Sequence, residues 1–263
     1  MNTTMDQALF PVKECPVMYD LAGNGDLKED TGFKLIVRED TNHVISCMSN
    51  EYQLVSNETV MNKSSKIIKE NDGVLTDVKS FGNGARTQWV YNFPKIKVPI
   101  DKGDVVTPNI IIKNSYDGSC EISVLGGAFR LICSNGLVVG YVTHRSSNRH
   151  SIHNPSLQNG RISKLVEETV DNIQLVFKED FPKLIDTKLN SKDIVKLVTM
   201  FPEPYIEPLV NYITSKDINN YWDLLNAATW TLTHNANRNK ESTHKLEQEI
   251  YKSVKHMALK HNK

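Results

Sequence analysis

The residues with the clearest chemical potential crowd into one acid-free interval. Between Glu121 and Glu167 the chain has no Asp or Glu, yet it carries Arg130, Arg145, Arg149, Arg161 and Lys164, together with His144, His150 and His153. Five fixed positive charges therefore stand unopposed, in a chain whose 31 basic and 31 acidic residues otherwise cancel. A local excess of this kind suits phosphates. Ser146, Ser147, Asn148 and Gly160 add small groups and backbone donors that can approach an anion. A helix starting after Gly160 would add the positive end of its dipole. Tyr116 and Tyr141 are candidate rings for stacking on bases. The same charges could instead decorate a solvated loop and pair with distant acids.

Other chemistries fit less well. His144, His150 and His153 lie close together, but no carboxylate is near them and their spacing matches no common metal motif. Cys133 could act as a nucleophile beside a histidine. Its apolar setting, Leu131-Ile132-Cys133, reads rather as a buried structural thiol. Arg130 needs a partner if it is buried, and Asp117, near the turn of the preceding hairpin, is the expected one. Asn135-Gly136 reads as a turn that uses residues tolerant of positive φ. No phosphate-cradling glycine loop, nucleophile elbow or zinc-protease motif is present. No catalytic residue, metal ligand or cofactor is assigned, and whether the chain is an enzyme stays open.

These residues need a scaffold, and the hydrophobic pattern supplies one. Residues 1–30 are polar and broken by Pro and Gly, and read as an arm. Phe33–Arg38 and His43–Met48 read as paired strands around the turn Asp40–Asn42. Ser56 or Asn57 should cap a helix that Asn71-Asp72-Gly73 stops. Val74–Phe81 and Arg86–Phe93 flank Gly82-Asn83-Gly84, a hairpin signal. Asn109–Lys113 and Cys120–Leu125 flank a turn at Ser115–Gly118, and Ala128–Cys133 and Leu137–Val142 flank another at Ser134–Gly136. Residues 143–159 read as a polar loop. Ile162, Leu165, Val166, Val170, Ile173, Val176 and Phe177 then recur at helical spacing.

The expected class is α+β: an antiparallel sheet core with flanking helices and a mainly helical C-terminal third. The expected division is an arm over 1–30, an α+β core over 31–182 and a helical region over 183–263 packed on that core. In the helical third, Trp222, Asn226, Trp230 and His234 share one drifting face, with the tryptophans in the core and Asn226 and His234 as buried polar partners. After Glu249 the chain has no acid but keeps Lys252, Lys255, Lys260 and Lys263, which suit a helix C-terminus or extend a basic surface.

Composition excludes several classes. Hydrophobic residues at 39% and charged residues at 24% belong to a globular chain. The four cysteines are scattered and form no C-x-x-C pair, so neither a zinc ribbon nor a disulfide framework is expected. The first residues lack the apolar run of a signal peptide, and no stretch approaches the roughly 20 apolar residues of a membrane span. The expected location is the cytoplasm, that of the host if a phage encodes the chain.

Two segments carry a family likeness. NSYDGS (Asn114–Ser119) followed by GGAFRLICSNGL (Gly126–Leu137) resembles a phage- and plasmid-borne group known as domain-of-unknown-function family 932. Its members have an HDGS-like turn and then an R-x-x-C-x-N strand and turn. Asp117, Gly118, Arg130, Cys133 and Asn135 match, while Tyr116 stands where the family often has His. The pair Arg149-His150, the stretch from Trp222 through Asn226 to His234, and GNGAR (Gly82–Arg86) fit as well, so the likeness runs from about residue 30 onward. By analogy, strands feeding hairpins and then a long helix are similar to single-strand annealing proteins, which form rings around a strand.

The resulting expectation is a non-catalytic, homo-oligomeric protein that binds single-stranded DNA in recombination or annealing. Its binding set would be Arg130, His144, Arg145, Arg149, His150, His153, Arg161 and Lys164. The alternatives are an enzyme acting on nucleic acid through the Asp117, Arg130 and His150 region, or a phage factor that antagonises host defence by binding a protein.

Overall fold

The computed structural model describes residues 8–21, 23, 25, 28–101, 104–130, 136–137, 160–235 and 240–261. The chain is α+β, with two antiparallel sheets and helices concentrated towards its C-terminus. The first sheet has the order β1-β2-β3, made from Val12–Asp20, Lys28–Arg38 and Val44–Ser49. The polar lead-in expected to be an arm therefore contains a strand. Its proline is tolerated because β1 is an edge strand, and Pro16 sits where the pairing with β2 slips. The polar character that hid β1 is that of an exposed edge. The β2–β3 turn forms at the expected place, with Asn42 at φ 54° and Arg38 bound to Asp40 through two nitrogens at 2.9 and 2.6 Å.

Helix α1 (Asn57–Glu70) starts at Ser56, whose Oγ accepts the Thr59 N–H at 3.1 Å. It ends with Asp72 at φ 57° and the Gly73 N–H donating to the Ile68 carbonyl at 2.8 Å, a Schellman-type close. The second sheet runs β4-β5-β7-β8-β9, with β6 on β7. Its strands are β4 (Val74–Phe81), β5 (Arg86–Asn92), β6 (Val98–Asp101), β7 (Asp104–Ser115), β8 (Ser123–Arg130) and β9 (Gly136–Leu137). The expected hairpin between β8 and β9 is present, with Ala128 opposite Leu137 and Phe129 opposite Gly136.

Helix α2 (Arg161–Leu175) runs through a π-helical stretch, Val176–Asp180, into α3 (Phe181–Asp186). All seven apolar residues expected on its inner face, from Ile162 to Phe177, are buried. Beyond them lie α4 (Ser191–Val198), α5 (Glu203–Ser215), α6 (Tyr221–Asn235) and α7 (Lys240–His261).

The contacts divide into two compact units that interleave along the chain. One holds β1–β4, α1, most of β5, the ends of β7 and β8 beside the Ser115–Cys120 turn, and the start of α2. The other holds the remainder of β5, β7 and β8, with β6, β9 and the helices from mid-α2 onward. The first is built around Phe10, Ile36, Tyr52 and Tyr116. In the second, Phe177, Phe181 and Trp222 pack in series, with ring centroids 4.8 and 4.6 Å apart. Trp230 is only half-buried and lies between Tyr212 and His234.

Candidate functional site

Within the acid-free interval the described residues are 122–130, 136–137 and 160–166. His144, Arg145, Arg149, His150, His153, Tyr141, Cys133 and Asn135 lie outside the described residues. Arg130 is the last residue of β8. Arg161 opens α2 and is half-buried, and Lys164 is exposed one turn later. The helix is set by the Lys164 N–H donating to the Gly160 carbonyl at 2.9 Å, and by Ser163 Oγ donating to the Lys63 carbonyl of α1 at 2.9 Å.

The first turn of α2 contains no acidic residue. Helix N-termini favour negative charge because their first N–H groups lack partners and the dipole is positive there. Here Arg161 and Lys164 stand at that positive end. Among the described residues, Lys164 has a loose pair with Glu168 at 3.7 Å, in the less favourable Lys-before-Glu order. The arrangement leaves positive potential that an anion would relieve.

One expected role is corrected. Tyr116 is not a stacking platform, because it is 1% exposed and packs edge-on against Phe10, with centroids 5.9 Å apart. Its Oη accepts the Asn57 N–H at 2.7 Å, and burial pushes its hydroxyl up to about 12. Asp117 faces Arg86, 3.9 Å away, and its Oδ1 accepts the Ser119 N–H at 3.0 Å. Its role is to shape the turn with Gly118, which has φ +68°. The Arg130 side chain expected to pair with Asp117 lies outside the described residues; among the described residues the carboxylate faces Arg86.

The NSYDGS segment is thus a structural junction. Asn114 Nδ2 donates to the Val55 carbonyl at 3.0 Å and to Asn57 Oδ1 at 2.8 Å. Asn57 Nδ2 donates to the Ala8 carbonyl at 2.7 Å and to Thr87 Oγ1 at 3.0 Å. Ser46 Oγ donates to the Tyr116 carbonyl at 2.6 Å, and Tyr52 Oη donates to the Ser115 carbonyl at 3.1 Å. These bonds tie the segment to α1, β3 and β5, with Asn114 Oδ1 left without a partner among the described residues.

The helical unit holds a constellation that sequence reading missed. Asp180, 5% exposed in the π-helical stretch, accepts from Tyr251 Oη at 2.6 Å and Lys255 Nζ at 2.7 Å. Asp193, 2% exposed in the first turn of α4, accepts from Lys196 Nζ at 2.6 Å and Tyr221 Oη at 2.7 Å, and pairs with His261 Nε2 at 2.9 Å. Burial by itself would raise the Asp193 carboxyl, but these three partners outweigh it and hold it at about 2. Tyr221 is in reach because the chain before α4 bridges the chain before α6, Lys188 opposite Asn220. The sequence clue was the basic run after Glu249, but its acidic partners lie 68 and 75 residues away in the chain.

In α6, Asn226 is buried as expected and its Nδ2 donates to the Trp222 carbonyl at 2.8 Å. His234 is instead exposed, because it falls in the last turn and rests on the outer side of Trp230, with its Nδ1 3.0 Å from the Trp230 carbonyl. Among the described residues, no group of three or more His, Cys, Asp or Glu could hold a metal ion. Among the same residues, no helix is long and apolar enough to cross a membrane.

No curated protein and no solved structure matches the chain. A family described as Domain of unknown function (DUF932) matches residues 44–255. The match takes in α1, the second sheet, the NSYDGS junction and all but the last turns of α7. The chain is therefore a member of the DUF932 family.

Proposed function

We propose that the protein binds single-stranded DNA, without catalysis, through the segment between Arg130 and Lys164. The observation that carries this reading is the start of α2. A helix whose first turn holds Arg161 and Lys164 and no acid has a positive end that calls for an external anion. The 45 residues between Glu121 and Glu167 lack any acid, so Arg145 and Arg149 meet no opposing charge from their own segment. A polyanion answers both features. Binding to a single strand as an oligomer in annealing or recombination is the form of this function that the analogy with single-strand annealing proteins suggests. The cytoplasm is where such a strand would be met.

Fluorescence anisotropy with a labelled single-stranded oligonucleotide tests the reading. Affinity should fall as salt rises, with a slope in log–log form of about 0.7 per phosphate neutralised. Arg145→Ala combined with Arg149→Ala should weaken binding and flatten that slope by about 1.4. Absence of binding by the wild type at low salt, or unchanged binding by the double variant, would overturn it. Mass in solution, measured with and without the oligonucleotide, tests the oligomer.

A further inference from the structure

In the helical unit, α4 and the last turns of α7 border an open cavity of about 450 Å³. Its α7 side is a stripe at helical spacing in which Ser253, His256, Lys260 and His261 supply the polar groups. Lys196 enters from α4, and Met200 and Met257 form apolar wall. The volume is that of a small-molecule site. Its lining contains a single carboxylate among the described residues, Asp193, and that carboxylate is already engaged by Lys196, Tyr221 and His261.

The charge balance decides the ligand class. Asp193 is matched by Lys196 at 2.6 Å. Lys260 is then in excess, and the two histidines add ring nitrogens that can hydrogen-bond. With Nε2 committed to Asp193, His261 has only Nδ1 left for a ligand, and the carboxylate fixes the ring much as it does in metal-bound His–Asp pairs. Lys260 and His256 are one turn apart on an exposed face, so both can converge on one group without desolvating first. Ser253, one turn earlier, adds a hydroxyl donor. Cations are disfavoured, because the one carboxylate among the described lining residues is already held by three donors. The two methionines offer polarizable, adaptable surface of the kind that accepts a flat ring.

We propose that this cavity binds a phosphate monoester of mononucleotide size, with the phosphate at Lys260, His256 and Ser253 and the base against Met200 and Met257. The shared chemistry has two sources, a free nucleoside monophosphate or the terminal phosphate of a strand. The cavity's lining residues are distinct from those of the α2 segment.

The test titrates the full chain with deoxyadenosine monophosphate, deoxyadenosine and inorganic phosphate, monitored by calorimetry. The monophosphate should bind at least about tenfold more tightly than deoxyadenosine, a difference of about 1.4 kcal/mol. Lys260→Ala with His256→Ala should abolish the difference while leaving the circular dichroism and the unfolding midpoint unchanged, since both side chains are exposed. A second arm compares oligonucleotides bearing a 5′-phosphate with those bearing a 5′-hydroxyl. A preference for the phosphorylated end that the Lys260/His256 variant erases identifies the strand terminus as the source. Equal binding of the two ends, with the monophosphate still bound, identifies the free nucleotide. Failure of the wild type to bind the monophosphate at millimolar concentration, or undiminished binding by the variant, overturns the proposal. Either result leaves oligonucleotide binding through Arg145 and Arg149 standing, and loss of that binding leaves this site standing.

Discussion

Tyr251 on α7 donates its hydroxyl to Asp180 Oδ2 at 2.6 Å, and Lys255, one turn later, reaches the same oxygen at 2.7 Å. The acceptor sits in the single π-helical stretch described, between α2 and α3. A π turn inserts an extra residue and so rotates the downstream helix relative to the α-helical register. Here the stretch carries a buried carboxylate to α7, and the pairing raises the Tyr251 hydroxyl, burial first and Asp180 second.

Removing this pairing should loosen α7. Tyr251→Phe gives up one hydrogen bond to a charged acceptor and should cost about 1.5–3 kcal/mol. Asp180→Ala leaves Tyr251 and Lys255 without their acceptor and should cost more, about 3 kcal/mol or above. Urea unfolding of the two single variants and the double variant checks this. The double variant should be little worse than Asp180→Ala alone, because both changes break the same contact.

Asp193 predicts a pH dependence. Its carboxyl is held at about 2, below the ordinary carboxylate value near 3.8. A depressed pKa contributes stability above the unfolded value and loses it as pH falls through the folded one. The contribution, on the order of 2 kcal/mol, is therefore complete at neutral pH and vanishes between about pH 4 and pH 2. Asp193→Asn should be less stable than wild type at pH 7, and the gap should close across that acid window. A gap that stays constant down to pH 2 would show that the carboxylate charge contributes nothing.

The turn at Gly82-Asn83-Gly84 has three successive positive φ angles, 60°, 54° and 99°. At Gly84 a Cβ would run into the Phe10 ring, which is itself covered by the Arg38 guanidinium 3.7 Å from its centroid. Gly84→Ala therefore meets both backbone strain and a clash in a filled core, each costing about 1–3 kcal/mol. Gly82→Ala has only the φ penalty, since its nearest neighbour lies at ordinary contact distance, 3.4 Å. Thermal unfolding should rank Gly84→Ala well below Gly82→Ala, and Phe10→Leu should partly restore the Gly84 variant.

Much of this architecture was legible because it is written in local patterns. The 3.6-residue period of Ile162–Phe177, the Ser56 cap and the glycine-rich turn at 82–84 each act over a few residues. Strand β1 escaped because an edge strand with a proline and exposed side chains has no alternation to read. The carboxylate clusters escaped for a different reason. Asp180 and Asp193 are unremarkable acids in the chain, and only long-range packing brings them to Tyr251, Lys255 and His261. Tyr116 shows the converse error: a Tyr beside a turn reads as exposed, whereas Asn57 and the Ala85 and Ser46 contacts draw it inward. The basic interval was legible as charge, which needs no fold to be counted.

The inward position of Tyr116 separates two roles that an aromatic ring in a binding protein can have. If it only completes the junction, Tyr116→Phe should cost about 1–3 kcal/mol, because the buried Asn57 N–H loses its acceptor. The hydroxyl stands at about 12, above the ordinary tyrosine value of 10. A raised value favours the native state fully below pH 10, and that part of the stability is lost as pH rises through 12. The gap between wild type and Tyr116→Phe should therefore narrow in that alkaline range. At neutral pH, where both are folded, the two should bind a single-stranded oligonucleotide equally. Tyr116→Leu should likewise bind once enough of it is folded. Loss of oligonucleotide binding in the Leu variant, with stability matched to the Phe variant, would restore a stacking role to the ring and require the junction to open.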